Sequence, residues 1–109
     1  MATQKDTVEY ILETLDDTLA FSARPMFGEY ALYAHGKVVA LICDDTLFVK
    51  IMTASQQLES LCEKGPPYPG AKPYYVIAEE QLNSISHLSQ ILLNLAEEIP
   101  AKKTVTKKI

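Results

Sequence analysis

The sequence predicts an α+β fold, in which an antiparallel β-sheet meander of four to five strands packs with helices as a two-layer sandwich. Apolar residues repeat with helical spacing near both ends of the chain, and short strand-like runs separated by turn residues fill the middle. The 109 residues are 48% hydrophobic and 22% charged, which suits one soluble domain. We expect the order helix-β-β-β-helix-β-helix over residues 1–100, followed by a basic, disordered tail at 101–109.

The first helix is predicted from an apolar seam, with acidic side chains on the opposite side. Asp6 or Thr7 can cap its first turn, since short polar side chains accept hydrogen bonds from the free N–H groups there. The seam repeats at intervals of three and four residues and consists of Val8, Ile11, Leu12, Leu15 and Leu19.

The meander is indicated by strand-like runs joined by tight turns. His35 and Gly36 predict a hairpin, because Gly accepts positive φ and His visits it more often than most residues. Asp44 and Asp45 predict the next turn. The runs are residues 29–34, 37–43 and 46–51.

Two further features describe this sheet. Pro25 and Gly28 punctuate residues 24–28, which we expect to form a turn or a short edge strand. Residues 38–43 are apolar throughout, which indicates that the middle strand is covered on both faces.

The second half alternates helices, a loop and a strand. Thr53 or Ser55 can cap a short helix that continues to Cys62, and the Gly- and Pro-rich residues 65–70 predict a surface loop. Residues 72–77 follow as a strand, which Pro73 places at a sheet edge.

A last helical stretch opens at Glu79 and Glu80 and stops at Pro100. Asn83 and Ser84 can break it into two pieces, the second of which contains His87. Its seam is Leu82, Ile85, Leu88, Leu92, Leu95 and Ile99.

The charge distribution argues against a domain that grips nucleic acid with its whole surface. The net charge of the whole chain is −4. The tail holds four of the basic residues, so residues 1–100 contain 6 basic and 14 acidic residues, which is the wrong sign for binding phosphate. The tail either attracts phosphate weakly, which makes nucleic-acid binding an alternative function, or is only solvated. Its lysines are Lys102, Lys103, Lys107 and Lys108.

The sequence shows no pattern typical of catalysis, a cofactor or a metal site. Cys43 and Cys62 lie in apolar surroundings and lack a CxxC partner, so both are interpreted as buried, reduced thiols. Neither His35 nor His87 has an acid and a nucleophile nearby in sequence. A small ligand-binding or enzymatic domain of unknown substrate, with a pocket near Tyr68, Tyr74 and Tyr75, remains an alternative function. No apolar run approaches the roughly 20 residues of a membrane helix, and we expect a cytoplasmic protein.

Several short motifs form a pattern between residues 24 and 80. They are Arg-Pro-Met-Phe-Gly at 24–28, Tyr-Ala-Leu-Tyr at 30–33, Leu-Phe-Val-Lys at 47–50, Lys-Pro-Tyr-Tyr at 72–75 and Glu-Glu at 79–80. This pattern resembles the signature of the TfoX N-terminal domain family, named after TfoX (Sxy), a bacterial regulator of competence genes. The family often has a second Gly where this chain has Glu29. Full-length regulators of this type carry a second, helical domain, which this chain is too short to hold.

The resemblance implies a role in transcriptional regulation of DNA uptake, beside a transcription factor such as the cyclic-AMP receptor protein. With no catalytic pattern in the sequence, we expect a non-enzymatic adaptor that binds a protein partner. Arg24 either clamps an acidic group of that partner or holds a group of its own chain. A homodimer through the strand at 74–75 or the last helix is a further expectation. The predicted contact residues are Arg24, Met26, Phe27, Gly28, Tyr30, Tyr33 and Lys50.

Overall fold

The computed structural model describes residues 3–15, 20–82, 84–85 and 87–99, and it confirms the α+β fold with more strands than predicted. Six strands form one antiparallel sheet in the order β1-β2-β3-β4-β6-β5. The strands are β1 (Phe21–Met26), β2 (Glu29–Ala34), β3 (Lys37–Cys43), β4 (Thr46–Val49), β5 (Glu63–Gly65) and β6 (Tyr74–Ile77). The helices are α1 (Lys5–Thr14), α2 (Leu88–Glu98) and two 3₁₀ helices, Thr53–Ser60 and Glu79–Gln81.

Three successive two-residue turns join β1 to β4. In each turn both central residues have positive φ, the pattern of a type I′ turn, whose twist matches that of the flanking strands. The turns predicted at His35 and at Asp44 are therefore confirmed, and Phe27 forms a third one with Gly28. The φ angles are 53° and 83° for Phe27 and Gly28, 51° and 79° for His35 and Gly36, and 52° and 59° for Asp44 and Asp45.

The edge position predicted for residues 72–77 is wrong. Strand β6 pairs with β4 on one side and with β5 on the other, where Lys64 lies opposite Tyr75. Pro73 precedes the first residue of β6, so the ladder does not need the N–H that proline lacks. A homodimer through an exposed edge at Tyr74 loses its basis.

The edge strand expected near residues 24–28 exists, but it begins earlier. It is β1, which pairs only with β2 among the described strands and carries Pro25 opposite Tyr30. An edge strand tolerates proline because one side of its backbone has no ladder to complete.

The helices cover one face of the sheet and form the main core with it. Val8 and Ile11 of α1 and Leu92 and Leu95 of α2 are buried in the same cluster as Leu32 of β2. Each buried side chain of this size stabilises the fold by about 1.5–3 kcal/mol. Leu19, the last residue of the predicted first seam, lies outside the described residues.

A register shift between β2 and β3 places two consecutive residues of β3 in this core. Leu32 pairs with Ala40, whereas Tyr33 pairs with Val38, so Val39 is an extra residue on β3. Val39 and Ala40 are both fully buried in the main core, although neighbours on a regular strand point to opposite faces. The predicted burial of both faces of the middle strand is confirmed over residues 39–43.

The start of α1 is capped from a distant turn, so the predicted capping by Asp6 or Thr7 is wrong. Gln4 precedes the helix without a side-chain cap. Asp45 Oδ1 instead accepts hydrogen bonds from the Gln4 N–H (2.7 Å) and from Thr7 Oγ1 (2.9 Å). The carboxylate also lies at the positive end of the helix dipole.

The last helical stretch is divided, as predicted, into the 3₁₀ helix Glu79–Gln81 and α2. His87 was predicted to lie within the second piece, but it lies just before α2 and has φ 67°. At the other end of α2, Lys37 Nζ donates to the carbonyl oxygens of Ala96 and Ile99, each at 2.8 Å. A cation on these carbonyls suits the negative end of the helix.

The short helix predicted after β4 is the 3₁₀ helix Thr53–Ser60. The residue that caps it is Met52, so the predicted capping by Thr53 or Ser55 is wrong. Ser55 lies inside the first turn, where its Oγ accepts the Met52 N–H at 3.0 Å and donates to the Lys50 carbonyl at 2.6 Å. Ser55 is fully buried, so these hydrogen bonds also satisfy a hydroxyl that has no access to water.

Candidate interaction site

The second face of the sheet carries a separate apolar cluster, which we call the outer face. Its members all come from strands. The buried ones are Ala31, Leu41, Cys43 and Phe48, and Met26, Tyr33, Val38, Tyr74 and Val76 are half-buried around them. This arrangement follows from strand alternation, since every member except Met26 lies one position away from a residue of the main core.

The loop at residues 66–73 folds back over the outer face. It leaves β5 at Gly65 and enters β6 at Tyr74, near the end of the sheet where Val49 pairs with Tyr75. Its Tyr68 nevertheless lines a pocket together with Cys43. Cys43 pairs with Thr46, which lies three residues, or about 10 Å, from Val49 along β4. The loop therefore shields part of a face that would otherwise be open.

Phe27 stands at the tip of the β1–β2 hairpin and is 99% exposed. Its φ of 53° is in the left-handed region, which is uncommon for a bulky residue and costs about 1–2 kcal/mol. Gly28 beside it has φ 83°, and a Cβ placed there would meet no atom within 4 Å, so its role is backbone geometry. The turn holds a phenyl ring in water at a cost in backbone energy, and such features cluster at functional sites.

A pocket of about 470 Å³ adjoins this tip. Its size is within the range of small-ligand and side-chain sites. The pocket combines a carboxylate with apolar, sulfur-containing and aromatic side chains, and it is lined by Met26, Phe27, Glu29, Cys43 and Tyr68.

Glu29 is fixed in place by two hydrogen bonds to the same carboxylate oxygen. Its Oε1 accepts one from Thr3 Oγ1 and another from the Asp44 N–H at 3.1 Å. Thr3 is itself buried, and its Oγ1 accepts the Asp45 N–H at 3.3 Å. The residues before α1 thereby connect the wall of the pocket to the β3–β4 turn.

The thiol on the pocket wall is not activated for nucleophilic chemistry. Burial raises the pKa of Cys43, and the negative charges of Glu29 and Asp44 raise it further. A thiol with a raised pKa stays protonated near neutral pH and reacts slowly. Burial also raises the pKa of Cys62. Within the described ranges, no group of three His, Cys, Asp or Glu residues is placed to hold a metal ion.

Arg24 lies beside the pocket on the outer face and is held by an aromatic ring. Its guanidinium carbon is 5.3 Å from the centre of the Tyr33 ring, a cation–π distance. No carboxylate of the described residues forms an ion pair with it. The contact steadies an exposed cation about 7 Å along β1 from Met26, since two residues of a strand span that length.

Five of the predicted contact residues thus lie on the outer face or at its hairpin tip, namely Arg24, Met26, Phe27, Gly28 and Tyr33. Tyr30 does not join them, because it packs against the main core on the opposite face. Lys50 follows β4 at the other end of the sheet, where its N–H donates to the Val39 carbonyl at 3.2 Å. The four tail lysines lie outside the described residues.

The three tyrosines proposed for a ligand pocket do not meet in one place. Tyr75 is buried in the main core, and its hydroxyl donates to Glu59 Oε1 at 2.9 Å. Tyr74 is on the outer face, where burial and the neighbouring Tyr68 raise its pKa. Of the three, Tyr68 alone lines the pocket beside Phe27.

Glu29 and Cys43 were not predicted as site residues. Glu29 follows a turn glycine and Cys43 ends an apolar strand, and both positions are ordinary in sequence. The β1–β2 and β3–β4 hairpins bring them to the same end of the sheet.

Comparison with known proteins agrees with these motifs. The sequence model of the TfoX N-terminal domain matches residues 13–97. A protein of Spirochaeta aurantia, described as an uncharacterized 12.7 kDa protein in the trpE 5′ region, is 34% identical over 103 residues, covering 94% of this chain and 89% of that relative. None of the helices in the described parts is both long and apolar enough to span a membrane. The chain belongs to the TfoX N-terminal domain family.

Proposed function

We propose that this protein is a non-enzymatic adaptor domain that binds a protein partner through the hairpin tip and the adjoining outer face. The observation that carries this proposal is the 99% exposure of Phe27 on a strained turn. Met26 precedes it and lines the same pocket, and Arg24 and Tyr33 lie farther along the outer face. Together these side chains form a surface that can bind a partner without any catalytic group.

The energetics of association support this surface. Binding hot spots are enriched in aromatic residues and arginine that start exposed and become fully buried. Burying the Phe27 ring would contribute about 1.5–3 kcal/mol, because nearly all of its surface is in water in the free protein. The Tyr33 ring holds the Arg24 guanidinium before a partner arrives, which limits the side-chain entropy lost on binding.

Membership of the TfoX N-terminal domain family indicates the cellular process in which this interaction takes part. The family resemblance favours transcriptional regulation of DNA uptake, with a transcription factor such as the cyclic-AMP receptor protein as the partner. The protonated thiol of Cys43 in the pocket supports binding over catalysis.

Affinity capture from cells tests the proposal with two matched turn variants. Phe27→Asn removes the ring but creates Asn-Gly, which is favoured in type I′ turns. His35→Asn creates the same dipeptide at the β2–β3 turn, away from the outer face. We expect a specific partner to be retained by the wild type and by His35→Asn, and lost with Phe27→Asn. A set of captured proteins that is identical for all three would refute the proposed surface.

A further inference from the structure

The lining of the pocket specifies which kind of group the partner places there. We propose that the pocket receives a cationic side chain, arginine or lysine, of the protein partner. This inference rests on the proposed function, because it names the partner chemistry read by the same surface.

The volume of the pocket and its apolar lining residues suit the long stem of such a side chain. Arginine and lysine bury their methylene groups against apolar surface while the charged head stays near water. Met26 and Cys43 provide soft, apolar contacts for the stem. Phe27 and Tyr68, which is 52% exposed, add two aromatic rings to the lining, and the faces of such rings attract cations.

The charge of the pocket selects a cation over a neutral or acidic group. Glu29 lines it, and its Oε1 is held by Thr3 and Asp44, which leaves the carboxylate fixed in direction before a ligand arrives. Asp44 is close enough to act on the Cys43 thiol together with Glu29. Both hydrogen bonds that the Glu29 carboxylate accepts from the described residues come from uncharged groups, so neither neutralises its negative charge.

The positive charge of Arg24 is compatible with a cation in the pocket, because Arg24 lies elsewhere on the face and can bind a second, acidic group of the partner. It lies outside the pocket lining and is drawn towards Tyr33. The face therefore presents a negative site at Glu29 on β2 and a positive site at Arg24 on β1, two residues along the ladder from the Met26–Glu29 pair. A partner that places a basic residue in the pocket can place an acidic residue against Arg24.

The test is a titration of the ¹⁵N-labelled full chain followed by amide chemical shifts. The probes are N-acetyl-arginine amide and its uncharged isostere N-acetyl-citrulline amide, whose blocked ends leave the side chain as the only difference. We expect saturable shifts at Met26, Gly28, Glu29, Cys43 and Tyr68, with arginine binding three- to tenfold more tightly than citrulline.

Glu29→Gln provides the matched variant, because its amide oxygen can still accept both hydrogen bonds while the charge is removed. It should abolish the preference for arginine. Tyr68→Leu is a second variant that leaves Glu29 untouched, and it should weaken arginine binding by a similar factor. Equal affinity for the two probes in the wild type, or shifts spread over the surface, would overturn the proposal.

The outcomes also separate this inference from the proposed function. If Phe27→Asn abolishes partner capture while arginine and citrulline bind equally, the adaptor function stands and the cationic ligand is refuted. If arginine is preferred at the pocket while capture is the same for all turn variants, the adaptor function fails and the pocket is a site for small cations.

Discussion

Replacing Phe27 by asparagine should stabilise the free protein while it abolishes partner binding. The phenyl ring is 99% exposed, so its removal costs almost no buried apolar surface. The backbone at this position has φ 53°, where asparagine is several-fold enriched over bulky residues. Stability and binding should therefore change in opposite directions.

The expected gain follows from the backbone energy. A left-handed conformation costs most L-residues about 1–2 kcal/mol, and asparagine avoids part of this cost through local hydrogen bonds. We expect the free energy of unfolding to rise by about 0.5–1 kcal/mol. For a domain of this size, that corresponds to an increase in Tm of about 2–8 °C.

Thermal unfolding and urea unfolding of the wild type, Phe27→Asn and His35→Asn measure this difference. His35 has a similar φ of 51°, but histidine already tolerates this region, so the gain at His35→Asn should be smaller. A loss of stability at Phe27→Asn would show that the ring packs in the free protein. That result would refute the idea of a ring held exposed for a partner.

Three further changes test other parts of the structure. Asp45→Ala removes the acceptor at the start of α1 and should cost about 1–2 kcal/mol in urea unfolding, whereas Asp45→Asn should cost much less; equal losses would contradict the capping role. Lys37→Met uncaps α2 and should cost about 1–2 kcal/mol by the same assay, and an unchanged midpoint would show that these bonds add nothing. The pKa of Glu59 is lowered in the folded state, mainly by a hydrogen bond from Lys64 and to a smaller extent by one from Tyr75. The Glu59 carboxylate therefore binds a proton more readily in the unfolded chain. This contribution to stability is present above about pH 4.3 and lost as the pH falls through the folded-state pKa, so Glu59→Gln should flatten the acid part of a stability–pH profile; an unchanged profile would refute it.

The sequence was most informative where a local rule decides the structure. Turns at His35 and Asp44 were predictable because few residue types tolerate positive φ at both positions of a tight turn. The alternation of Tyr30 and Tyr33 between faces was predictable from the period of a strand.

Features that depend on distant partners were not predictable. Strand β5 consists of Glu63, Lys64 and Gly65, which have no strand preference of their own and become a strand by pairing with β6. The cap of α1 comes from Asp45, far along the chain. The pocket unites Tyr68 of a loop with a hairpin that precedes it by three strands, and no local pattern encodes that approach.

The most direct test of the central claim, that the Phe27 tip contacts a partner, is site-specific photocrosslinking in cells. A photoreactive phenylalanine, p-benzoylphenylalanine, replaces Phe27 in one variant and His35 in another, since both side chains are exposed at turns of equal geometry. We predict one discrete crosslinked protein from position 27 and none from position 35. The absence of an adduct at position 27, or the same adduct at both positions, would contradict the account.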